Sequence, residues 1–146
     1  MGWRPFTVIA LVLTYAFAPQ AGAHCQIPCG IFDDETRFSA MKEHVTTIEK
    51  SMKQITELSA ATPPNYNQIV RWVNNKDQHA DELSEIVTYY FMAQRVKAPA
   101  DSADQAATAQ YVRWLTLLHG ILVHAMKAKQ TVEPDHCVQM NRLIDE

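Results

Sequence analysis

The stretch AGAHCQIPCG, residues 21–30, sets one histidine and two cysteines, His24, Cys25 and Cys29, within six positions. If His24 is the first residue of the working protein, its free amine is a metal donor, because an amine with a reference pKa of about 8 loses its proton readily when a metal competes. The Cys25 amide nitrogen lies one residue on, placed for a five-membered chelate with that amine. With the Cys25 and Cys29 thiolates this makes a planar set of two nitrogens and two sulfurs, and the His24 imidazole is available above the plane. Planar fields suit Ni(II) or Cu(II) rather than tetrahedral Zn(II). Thiolate and ionised amide also stabilise a metal in its higher oxidation state, as one-electron redox chemistry requires. Pro28 fixes its own φ and Gly30 admits conformations closed to other residues, so both help the chain hook back until Cys29 meets Cys25. The plainer reading of two cysteines four apart in an exported chain is a disulfide.

Whether His24 is terminal depends on the residues before it. Arg4 is the only charged side chain among residues 1–23, the run FTVIALVLTYAFA at 6–18 is almost wholly apolar, and Pro19 breaks it before Ala21, Gly22 and Ala23. One positive charge, a short apolar run and an A-x-A-like end form a secretory signal pattern. The run falls short of the ~20 residues of a spanning helix, so a retained membrane anchor is the weaker reading. Cleavage after Ala23 makes His24 the N-terminus and leaves 12 basic against 16 acidic side chains, a net charge of −4 in place of −3. The expected destination is export, periplasmic or secreted; the alternative is a leader used for other processing or organelle targeting.

Downstream of Gly30 the pattern is helical, in keeping with only 4 glycines in 146 residues. Phe38, Met41, Val45, Ile48, Met52 and Ile55 recur by threes and fours, the seam of a packed helix. Asp33 or Asp34 is the expected N-cap, and Thr62-Pro63-Pro64-Asn65 stops this helix and starts the next. The second helix is expected from about Tyr66 to Val96, with Ile69, Val73, Ala80, Leu83, Val87 and Tyr90 on one stripe and Trp72, Ile86 and Phe91 widening it. A third, from about Ala103 to Lys129, carries Tyr111, Trp114, Leu115, Leu118, Leu122 and Ala125. Glu133-Pro134 opens a short fourth with Val138, Met140, Leu143 and Ile144. Helices with short connections and one apolar stripe each read as an up-and-down four-helix bundle, all-α, preceded by the metal-binding hook. The expected organisation is a removed leader at 1–23 and one domain at 24–146, with the hook at 24–30 and the bundle at 34–146.

The hook sequence HCQIPCG resembles that of the nickel superoxide dismutase family, which reads His-Cys, two variable residues, then Pro-Cys-Gly. His24, Cys25, Pro28, Cys29 and Gly30 match it in place. The likeness continues into IFDD at 31–34, a helical bundle of the right length, and the Tyr90-Phe91 doublet. It implies one nickel ion per subunit, held by the His24 amine and imidazole, the Cys25 amide and thiolate, and the Cys29 thiolate. It also implies a homohexamer, and a reaction in which superoxide is converted to oxygen and hydrogen peroxide by Ni(III)/Ni(II) cycling. Tyr90 resembles the family's second site tyrosine. Phe32 stands where the family usually has tyrosine, so the ring is kept without its hydroxyl. Water, Tyr90 or a protonated thiolate are the candidate proton donors.

The remaining chemistry-bearing residues read more plainly. Cys137 is expected to be a buried free thiol. His44, His79, His119, His124 and His136 show no i, i+4 pairing of a helical metal site, and the single Glu-x-x-His at Glu133–His136 falls short of a di-iron set. Trp72, Trp114 and the methionines at helical spacing are expected in the core. No block of like charge suggests nucleic acid or, once the leader is gone, a membrane surface. Two other classes compete: an exported helical nickel or copper carrier without turnover, which would use the same donors, and a thiol oxidoreductase, whose usual C-x-x-C beside a βαβ pattern is absent.

Overall fold

A computed structural model describes residues 34–146. The expected leader, the expected hook residues His24, Cys25, Pro28, Cys29 and Gly30, and also Phe32 and Asp33, lie outside the described residues. Helix α1 spans Asp34–Ala60 and α2 spans Tyr66–Glu85. The second helix continues as a π-helical segment over Ile86–Arg95. Helix α3 spans Gln105–Gln130 and α4 spans Asp135–Asp145. Each helix packs on its sequence neighbours and α4 closes the ring against α1. Short connections at 61–65 and 131–134 favour antiparallel neighbours. Among the described residues there is no strand, and no helix is long and apolar enough to cross a membrane.

The helix boundaries follow local chemistry. Asn65 caps α2 by accepting from the Gln68 amide at 3.2 Å, and Asp104 caps α3 by accepting from the Ala107 amide at 3.0 Å. That second cap places the start of α3 two residues beyond the expected Ala103. Pro134 precedes α4, and its carbonyl accepts from the Cys137 amide at 2.9 Å. Of the two expected caps of α1, Asp33 lies outside the described residues, and Asp34 is the first residue of the helix, its carboxylate turned to Tyr90 and Arg95.

The core is the seam that the periodicity outlines. Met41, Val45, Ile48 and Met52 of α1 face Ala80, Leu83 and Val87 across the bundle, with Met140 and Ile144 of α4 below. Each large aliphatic side chain so buried contributes on the order of 1.5–3 kcal/mol. Cys137 is free and buried, as expected.

Three expectations about the core are corrected. Helix α4 extends roughly 16 Å and α3 roughly 39 Å at 1.5 Å per residue, so α4 covers only part of its neighbour. Gly120 of α3 meets Leu143 near the end of α4, where an added Cβ would lie 3.0 Å from Cδ1, and Arg113 reaches the Glu146 carbonyl at 3.4 Å. The first two turns of α3, before Arg113, therefore run past α4. Trp114, level with the end of α4, is 45% exposed rather than core, and the buried stripe is Leu118, Ile121, Ala125 and Ala128. Val138 of α4 is exposed too, because Cys137 and Met140 take the inward positions. Met126 likewise faces outward on α3, between the inward Ala125 and Ala128.

A buried polar contact ties the second helix to the third, beside the exposed Lys129–Asp81 ion pair. Lys76 is 2% exposed and its ammonium donates to the Ala128 carbonyl at 2.5 Å, the Lys129 carbonyl at 2.6 Å and Asp77 Oδ1 at 3.0 Å. It satisfies carbonyls that the end of α3 leaves without helical partners, at the negative end of that helix's dipole.

Candidate functional site

The second helix is expected to run unbroken to Val96; it changes character at Ile86 instead. The Val96 amide bonds back to the Phe91 carbonyl at 2.9 Å, an i to i−5 contact, which is the π pattern. A wider turn lessens the angle between successive side chains. Tyr90 and Phe91, adjacent in sequence, are therefore both buried while Tyr89 faces solvent. The Phe91 ring stacks on Phe38 of α1 at 4.9 Å and meets the Tyr90 ring edge-on at 5.1 Å.

This arrangement aims Tyr90 at the first turn of α1. Its hydroxyl donates to Asp34 Oδ1 at 2.7 Å, and Arg95, from the last turn of the π segment, donates to Asp34 Oδ2 at 2.8 Å. Arg37 places its guanidinium carbon 5.2 Å from the Tyr90 ring centroid, a cation–π contact. Arg37 Nε is buried without a hydrogen-bond partner among the described residues. The Arg95 hydrogen bond holds the Asp34 carboxyl below its ordinary value. Burial, and then the Asp34 carboxylate, push the Tyr90 phenol up. Tyr90 therefore stays protonated at neutral pH with its proton directed at Asp34, so any proton it supplied would have to leave that hydrogen bond. The cluster thus holds two guanidiniums, one carboxylate and one neutral phenol. Asp34 and Arg95 border an open cleft of about 290 Å³, lined also by Phe38, Phe91, Trp114, Leu118 and a second carboxylate residue, Glu146.

Of the site residues expected from sequence, Tyr90 lies in this cluster; His24, Cys25 and Cys29 lie outside the described residues. Asp34, Arg37 and Arg95 join Tyr90 here although their types at those spacings carry no motif. The histidines pair across helices rather than along them: His44 Nδ1 lies 2.8 Å from His79 Nδ1, and His124 Nδ1 lies 3.2 Å from His136 Nδ1.

The family model for nickel-containing superoxide dismutase matches residues 19–146. The chain belongs to the nickel-containing superoxide dismutase family. No curated protein and no solved structure matches it. It is accordingly an oxidoreductase that converts superoxide to oxygen and hydrogen peroxide, with nickel as its cofactor. The membership favours turnover over the carrier reading, since a carrier would need the donors but not the reaction. Within the family match, the Tyr90–Asp34–Arg95 cluster joins the end of the π segment to the chain immediately downstream of the hook motif.

Proposed function

We propose that this nickel superoxide dismutase works through a hook exposed by cleavage after Ala23, with His24, Cys25 and Cys29 as the nickel ligands. The donor chemistry fits the metal: two thiolates, a terminal amine, an amide nitrogen and an imidazole make a strong-field, electron-rich set. When bound, one nickel ion per subunit supplies the one-electron oxidation and reduction of superoxide. The observation that carries the reading is the position of the Asp34–Tyr90–Arg95 cluster. Cys29 is five residues from Asp34, a stretch that reaches at most about 18 Å, so the cluster lies within one short tether of the ligands.

In this reading the chain's residues divide the work. Arg95 and Arg37 draw the superoxide anion toward the hook. Asp34 fixes the Tyr90 phenol, so that its ring borders the approach without ionising. Phe32 supplies a second ring without a hydroxyl, leaving Tyr90 the phenol of this gate. The proposed assembly is a homohexamer, on the family resemblance, and the exposed Val112 and Trp114 of α3 are available to bury in it. The proposed location is outside the cytoplasm.

The test is the N-terminal residue and nickel content of the purified protein, read beside its turnover. Protein beginning at His24 should hold one nickel per chain, and protein with any residue retained ahead of His24 should hold none. Full activity in uncleaved, nickel-loaded protein would overturn the proposal. Cys25→Ser and Cys29→Ser should each abolish turnover, while His24→Ala should keep nickel through the amine and lose most of its activity. Light scattering reads the assembly, and fractionation of producing cells reads the location.

A further inference from the structure

Ten residues along α1 from Asp34, about 15 Å at 1.5 Å per residue, His44 faces α2 and meets two side chains there. His44 Nδ1 and His79 Nδ1 are 2.8 Å apart, and Glu82 Oε2 lies 3.5 Å from the first and 3.6 Å from the second. His79 and Glu82 are three apart on one helix face. All three residues are half-buried. We infer that His44, His79 and Glu82 form a second metal site, separate from the nickel hook, that takes a divalent transition ion of the zinc class.

The argument is geometric. A proton shared between the two imidazoles accounts for the 2.8 Å edge alone. It leaves the carboxylate oxygen outside the usual hydrogen-bonding range of both rings. A single ion accounts for all three edges. The triangle with sides of 2.8, 3.5 and 3.6 Å has a circumradius of about 1.9 Å, so an ion at ordinary zinc distances of about 2.0–2.1 Å sits just out of its plane with no ligand moved. At about 2.05 Å the three ligand–ion–ligand angles come to about 86°, 117° and 123°, averaging about 109°. That is the tetrahedral mean, with the fourth position left for water.

The surroundings prepare the ligands. Gln78 Nε2 donates to Glu82 Oε1 at 2.8 Å, which leaves Oε2 turned to the rings, as outer partners of metal ligands commonly do. Burial, and then His79, pull the His44 imidazole below its ordinary value. The His124–His136 pair has a similar ring approach, but no carboxylate joins it in a three-ligand group among the described residues.

The test is zinc binding to the nickel-loaded protein, followed by calorimetry and by metal analysis after dialysis. One zinc per chain beyond the nickel is expected. His44→Ala and His79→Ala should each weaken it on the order of 100-fold or more, and Glu82→Gln on the order of 10-fold or more. Should an alanine variant fail to fold, His79→Gln keeps the size and polarity of the site and should lose zinc likewise. The Cys25→Ser/Cys29→Ser double variant should still take up one zinc. Cobalt bound there should show ligand-field bands without thiolate charge transfer. Zinc that does not exceed the hook's own capacity, that disappears in the cysteine double variant, or that binds His79→Gln as tightly as the parent would overturn the inference.

Discussion

The Tyr90 hydroxyl donates to the Asp34 carboxylate across 2.7 Å, joining residues 56 apart in sequence at the point where the chain enters the bundle. Arg95 grips the same carboxylate from the other oxygen. Asp34→Asn keeps an acceptor for the phenol but removes the charge. The Tyr90 phenol, pushed up partly by that charge, should ionise at lower pH in the variant, read by ultraviolet titration against Tyr90→Phe. The stability effect has a definite sign. Asp34 is held below its unfolded value of 3.8, so its contribution is fully present above that value and is lost as the pH falls through the folded one. The denaturation midpoints of the parent and of the Asp34→Asn protein should therefore differ near neutrality and converge in acid.

Tyr90→Phe tests the phenol itself. The ring is 5% exposed and its packing on Phe91 survives the change, so the fold should persist at a cost of about 1 kcal/mol for the lost hydrogen bond. With Phe32 already lacking a hydroxyl, turnover at saturating superoxide should fall about tenfold, equivalent to about 1.4 kcal/mol on the barrier. Phe32→Tyr should recover part of that loss. Equal rates in all three proteins would remove any hydroxyl role at this gate.

Lys76→Met should destabilise the bundle by about 2–4 kcal/mol, because the Ala128 and Lys129 carbonyls lose a charged donor inside the structure. Urea unfolding should show a lower midpoint with an unchanged slope.

Cys137 is 1% exposed, and burial pushes its thiol up to about 12. In the Cys25→Ser/Cys29→Ser double variant it is the remaining thiol of the chain. A disulfide reagent at about pH 8 should find no reactive thiol in that folded variant and one after denaturation. A stoichiometric reaction with folded protein would show that α4 opens readily.

The amino-acid sequence alone determined the family through HCQIPCG, and four helices with one apolar seam each. Such features are encoded among near neighbours: a motif is contiguous, and an apolar repeat of three and four residues speaks of its own helix. The caps at Asn65 and the break at Pro63-Pro64 are equally local. Tertiary structure decided what no single helix contains. Trp114 has the spacing of a core residue, yet it is 45% exposed, because α4 ends beside it and the cleft between them stays open. Asp34 looks like a cap and becomes the partner of Tyr90 and Arg95, because the π segment turns both toward the start of α1. His44 and His79 are 35 residues apart, so no spacing rule along one helix finds them. They converge because the side-by-side packing of α1 and α2 brings one face of each helix to a common edge.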